Sequence, residues 1–213
     1  MNGIVSQNMR AQGADYKINF GLTLPLLKRI AQEVGTDAQL ADALWSDTAV
    51  RESMMLAPMI YPVEKFDEQL AEKWLAEMPN TEVADICCKY LFCRLPFAPQ
   101  KALDWTGSCT TLHRYTGTQL ATAWLIAHKS LENKALFKQI ADMAVKNVYE
   151  SNRNLAFASI TFLKQAVHDN ELSEHILPKL KALSVSDNQY KNLFDELTQE
   201  RNLFIEFAGN DSN

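Results

Sequence analysis

Apolar residues recur at helical spacing along almost the whole chain, and capping or breaking residues interrupt the pattern at short intervals. That combination constrains the fold more than any other feature, because a short amphipathic helix must bury its stripe against a neighbour. Alternation of period two and Gly-rich phosphate loops are both missing, which excludes a nucleotide-binding α/β domain. With only 7 Gly and 7 Pro, the turn chemistry of an all-β fold is also missing.

The punctuation can be followed in order. A short helix is expected over 6–13, then a loop from Asp15 to Gly21. A helix starts at Thr23 with Pro25 in its first turn and stops at Gly35. Thr36-Asp-Ala-Gln39 reads as a capping box opening a helix to Trp45. Asp47 caps the next helix, which Pro58 and Pro62 close, and residues 64–78 form an amphipathic helix. A central helix from Asn80 is closed by Pro96, and helices follow at 99–106, 111–128, 132–149, 152–168, 171–183 and 187–207. The second helix of each pair starts near 48, 81, 111, 152 and 187, at intervals of 33, 30, 41 and 35. Helix pairs at that spacing predict an all-α protein, an α-α superhelix (solenoid) of HEAT-like repeats. The competing arrangement is an irregular helical bundle. The expected organisation is one repeat domain over 1–208 and a frayed tail over 209–213.

Charge is segregated along the chain. The net is +2 over residues 1–35, −8 over 36–85, +6 over 86–165 and −5 over 166–213. The basic block is where a polyanion docks, or else a solvated face balancing acidic ends. No apolar run approaches the ~18 residues of a membrane span, and the first residues lack a basic and apolar leader, so a cytoplasmic location without membrane contact is expected. The four cysteines (Cys87, Cys88, Cys93 and Cys109) have no Cys-x2-Cys spacing, and His113, His128, His168 and His175 have no matching carboxylates. Neither a metal nor another cofactor is therefore expected.

The central helix carries two faces. At 100° per residue Val83, Ile86, Cys87, Tyr90 and Leu91 form the apolar stripe, with Asp85, Cys88, Lys89 and Phe92 opposite. The same count leaves Arg114, Thr118 and Leu125 opposite the stripe of 111–128, and Arg153, Phe157, Thr161 and Lys164 opposite that of 152–168. Cations interleaved with rings suit a phosphate backbone and an exposed base. A lone carboxylate among them is repelled by phosphate, so Asp85 is expected to serve a positive charge that develops during chemistry. The plainer reading makes Asp85 and Lys89 a surface i,i+4 pair and packs Phe92 on a neighbouring helix.

Two stretches then carry a resemblance. Asn8-Met-Arg-Ala-Gln-Gly-Ala-Asp-Tyr-Lys-Ile-Asn-Phe-Gly-Leu22 and Leu24-Pro-Leu-Leu-Lys-Arg-Ile-Ala31 look like the opening of bacterial DNA alkylation repair proteins of the HEAT-like-repeat type. Gln39–Trp45, Arg51–Ala57, Leu95–Ala98 and Lys101–Trp105 continue it, over roughly residues 8–168. The resemblance implies a superhelix holding double-stranded, alkylated DNA in a basic groove. It also implies a glycosylase that releases N3- and N7-alkylated purines without a metal or cofactor. In that family a carboxylate stabilises the cationic sugar, two tryptophans contact the lesion's backbone and an arginine assists. Asp85 matches the carboxylate. Thr81 stands at the first tryptophan, Thr161 or Phe162 at the second, and the arginine falls on Tyr115 or Arg114. The site expected from this is Asp85 with Arg114 as the catalytic pair, and Lys89, Phe92, Arg153, Phe157, Thr161 and Lys164 on DNA. The alternative is a non-catalytic helical-repeat scaffold that binds DNA or a partner protein; a third reading docks a basic partner on the acidic flank 36–85 while the basic block holds DNA.

Overall fold

The computed structural model describes residues 16–128 and 131–210, without the side chains of 208–210. The helix expected over 6–13 and the last three residues of the tail lie outside the described residues. Eleven α-helices run through the described chain. They are α1 (Leu24–Val34), α2 (Ala38–Ser46), α3 (Arg51–Ile60), α4 (Glu68–Glu77), α5 (Thr81–Tyr90), α6 (Ala98–Thr106), α7 (Thr111–Ala127), α8 (Lys134–Asn147), α9 (Arg153–Ala166), α10 (Asn170–Ser184) and α11 (Asn188–Asn210). The described residues contain no strand, only an isolated bridge between Ile18 and Val50. None of the described helices is long and apolar enough to cross a membrane.

The chain forms two compact units, Met1–Phe97 and Ala98–Asn213. In the first, α1, α3 and α5 pack side by side, with Leu27, Met55 and Ile86 buried between them. Trp45 of α2 and Trp74 of α4 stack with centroids 3.9 Å apart and planes 2° from parallel. Tyr61 and Phe66 meet Trp74 edge-on. In the second unit α6, α8 and α10 form one layer and α7, α9 and α11 the other, as three successive helix pairs. The pairs α6–α7 cross closely at Gly117, where a Cβ would meet the Thr106 backbone nitrogen at 2.3 Å.

The second helices begin at 51, 81, 111, 153 and 188, within three residues of the expected positions. The boundaries that differ have local causes. Asp37 rather than Thr36 caps α2, accepting from the Leu40 amide at 3.0 Å. Residues 64–78 are not one helix: a 3-10 turn at Val63–Lys65 ends at extended Phe66, and Asp67 caps α4 by accepting from the Leu70 amide. Pro58 sits inside α3 instead of closing it, and Val50 is the residue before its first turn. The central helix does not reach Pro96. It ends at Tyr90, because Leu91 adopts φ −125° and ψ −64°, and a 3-10 turn covers Phe92–Arg94.

Candidate nucleic-acid interface

That break decides the fate of Phe92. Beyond Tyr90 the helical angle no longer applies, so Phe92 turns inward instead of lying beside Asp85. It is 0 % exposed, with its ring 5.8 Å from that of Phe66. Phe92 is a core residue of the first unit, and the expected contact with DNA is corrected accordingly. The plainer reading of this ring was the right one.

Asp85 stands half-buried on α5. The Asn80 side chain caps that helix, accepting from the Val83 amide at 3.1 Å and donating to the Tyr16 hydroxyl at 2.9 Å. One turn before Asp85, Glu82 takes the Arg51 guanidinium through both carboxylate oxygens, one of them at 2.8 Å from Nε. Burial alone would lower the Arg51 pKa, but the bond to Glu82 and the charges of Glu82 and Glu52 raise it. Glu52 is 3 % exposed. Its carboxylate accepts from the amides of Phe20, Gly21 and Leu22 at 3.1, 3.0 and 3.2 Å, pinning the loop ahead of α1 to α3. The sequence pattern assigns Arg51 and Glu52 no role beyond the resemblance. Their signal was an adjacent ion pair opening an otherwise apolar helix. The same buried setting pushes the Cys88 thiol up, through burial first and then the charges of Cys87 and Asp85.

Lys89 is exposed, with Nζ 5.8 Å from the Tyr90 ring centroid, and Lys28 of α1 lies 6.0 Å from the same ring. Two cations on one aromatic ring are attracted by its quadrupole. Lys28 was not singled out from sequence, since only the packing of α1 near α5 brings it there.

In the second unit α9 places Arg153, Phe157, Thr161 and Lys164 on one side, away from its buried stripe of Leu155, Ser159, Phe162 and Ala166. Asn152 caps this helix by accepting from the Leu155 amide at 3.0 Å. Arg153 is exposed, and Phe157 is 71 % exposed. Thr161 donates its hydroxyl to the Phe157 carbonyl at 2.9 Å. Lys164 Nζ lies 2.6 Å from Glu196 of α11. Arg114 of α7 donates to Asn147 Oδ1 and, at 2.8 Å, to Glu150 Oε1. Thr118, counted on the outer side of α7, is 0 % exposed and donates back to the Arg114 carbonyl at 2.8 Å. The second unit thus carries an exposed ring on α9 with Arg153 and Lys164 on the same helix side, while Lys164 and, on α7, Arg114 are already countered by carboxylates. Asp85 and Lys89 belong to the first unit, the other four DNA-contact candidates and Arg114 to the second.

The chain superposes on a solved structure described as "A new family of proteins related to the HEAT-like repeat DNA glycosylases with affinity for branched DNA structures", with a TM-score of 0.71. The match covers 84% of this chain and 76% of that one at 17% identity, and shows a shared HEAT-like-repeat fold. No curated protein matches the chain. The sequence profile described as "DNA alkylation repair enzyme" matches residues 5–154. Most of the chain falls within that profile, and the protein belongs to the DNA alkylation repair enzyme family.

Proposed function

We propose that this protein binds double-stranded DNA through its second helices, and that Asp85 stands where members of its family stabilise the cationic sugar during release of an alkylated purine. The observation that carries the binding half is α9, where Phe157 is 71 % exposed among Arg153, Thr161 and Lys164. A phenyl ring this exposed leaves apolar surface in water, whereas a base or sugar can cover it while the cations take phosphate. The related fold with affinity for branched DNA structures supports the same class of ligand.

The catalytic half depends on charge. A glycosidic bond that breaks leaves a cationic sugar, and a half-buried carboxylate stabilises it more than it stabilises the neutral substrate. A second reading, binding without base excision, is favoured by Thr81 at the position of the family's first tryptophan. A lost cation–π contact of about 0.5–2 kcal/mol slows the step roughly two- to thirtyfold.

Two measurements test this. Duplex affinity should fall steeply between low and physiological salt, with a log–log slope near −0.9 per phosphate contacted. Affinity indifferent to salt overturns the binding half. Release of 7-methylguanine from methylated DNA should occur with the wild type and vanish in Asp85→Asn. Release that survives the substitution overturns the role of Asp85, and no release by the wild type leaves the non-catalytic reading.

A further inference from the structure

A cavity of about 790 Å³ opens in the second unit between the C-terminal ends of α7 and α9 and the middle of α11. That is within the roughly 300–1,000 Å³ of small-molecule sites. Its walls include two imidazoles, each lying flat on a second ring. His128 is 3.7 Å from Trp124 with planes 16° apart, and His168 is 4.2 Å from Phe204 with planes 7° apart. Ile126 and Ile205 line the cavity at 68 % and 52 % exposure. Apolar side chains left open to water in this way lie uncovered by any described part of the chain.

The polar groups narrow the occupant. Arg201 is committed, donating to the His168 carbonyl at 2.8 Å and to Asn170 Oδ1. Glu200 accepts from His168 Nε2 at 2.9 Å. Among the described residues, the walls therefore offer no uncommitted guanidinium or ammonium for a phosphate. Gln165, half-buried on α9, makes no side-chain hydrogen bond among the described residues and lines the same space. His128 Nδ1 donates to the Trp124 carbonyl at 3.1 Å, which leaves Nε2 an acceptor in the neutral ring. Flat stacked walls, an open carboxamide and an imidazole acceptor suit a neutral heteroaromatic plate that carries both donors and acceptors.

We propose that this cavity seats an unpaired nucleobase, stacked against the His168–Phe204 pair and read on its edge by the Gln165 carboxamide. A carboxamide pairs with the donor and acceptor edge of a purine, and aromatic stacking holds any base through its π-face. A base still paired in a duplex cannot enter, so the site selects DNA with a single-stranded tail, gap or branch. The proposal rests on the DNA reading above only for the origin of that base.

The test uses the full chain and 2-aminopurine, a fluorescent base quenched by stacking. One duplex carries it in a single-stranded tail, a second carries it paired, and a single-stranded oligomer carries it alone. Binding is read by anisotropy and seating by emission. Emission from the tail and from the oligomer should fall severalfold at saturation, while the paired probe is unchanged. Phe204→Ala and Gln165→Ala are both at solvent-reaching positions. The first should weaken capture of the tail roughly five- to hundredfold and leave blunt-duplex affinity within about twofold. Unquenched emission from a tail whose duplex is fully bound overturns the cavity reading and spares the duplex reading. Quenching that both variants retain also overturns it, because the base then sits elsewhere. Failure of blunt duplex to bind, with the oligomer quenched and the quench lost in Phe204→Ala, sinks the groove on α9 and keeps the cavity.

Discussion

Arg114 and Glu150, thirty-six residues apart, meet at 2.8 Å where α8 hands over to α9. Arg114, which with Tyr115 is one of the two positions the resemblance offers for the family's arginine, is therefore already held by a carboxylate, with 23 % of its side chain exposed. In the proposed binding mode, DNA competes with that carboxylate for the guanidinium.

Removing the competitor should favour DNA. A partly exposed ion pair is worth about 0.2–1 kcal/mol. Glu150→Gln is expected to raise duplex affinity by roughly up to fivefold at low salt. Anisotropy titrations check this, and an affinity that falls instead would mean Glu150 holds Arg114 in its binding position.

The ring and the cation of α9 should separate cleanly. Arg153→Ala, which removes an exposed cation of α9, is expected to make the duplex salt slope shallower by about 0.9. Phe157→Ala is expected to weaken duplex affinity by about 1–3 kcal/mol with the slope unchanged. Equal effects of both on the slope would contradict the division of labour.

Glu52 ties the 20–22 loop to α3 and shares Arg51 with Glu82. Glu52→Ala strips three amides of their acceptor and leaves a buried guanidinium with less compensation. The expected loss is about 3–5 kcal/mol of stability by denaturant unfolding. Amide exchange at Phe20, Gly21 and Leu22 should accelerate, and protection that persists there would show another acceptor.

At Gly117 an added methyl runs into the Thr106 backbone, with the Ala102 carbonyl at 2.8 Å. Backbone on both sides cannot rotate away, so α6 and α7 must separate. Gly117→Ala is expected to destabilise the protein by about 1–3 kcal/mol. An unchanged denaturation midpoint would mean that the two helices slide apart at no cost.

Asp142 on α8 meets Lys179 at 2.6 Å and His175 at 2.9 Å, both on α10. Burial raises its pKa, but those two partners outweigh it and hold it below the usual carboxylate value. A folded pKa that is depressed supports stability above the unfolded pKa, and that support is lost as pH falls through the folded one. The side chain is 42 % exposed, so the contribution is small and screened by salt. Asp142→Asn should flatten the acid side of a melting-temperature profile below about pH 4. A profile superimposable on the wild type would assign the acid limb to other carboxylates.

Helix starts were legible because they depend on near neighbours. Asn80, Asn152 and Asp169 each cap the helix that follows through a residue three positions on, and the apolar period shows which side turns inward. The face of α9 could be read in the same way, since Arg153 to Lys164 lie within one unbroken helix. Phe92 could not, because the angular count presumes that the helix continues past Leu91. Cap choices between adjacent Thr36 and Asp37 were also beyond the pattern.

What the chain by itself determined is the succession of helix pairs and the sides they bury, since hydrogen bonding and amphipathic period act within a few residues. Only the tertiary structure decided which charges are spent. Arg114 on Glu150, Lys164 on Glu196 and Glu52 on the 20–22 loop join positions about thirty or more residues apart. Coulombic attraction depends on distance in space, and nothing in the linear order of residues records that distance.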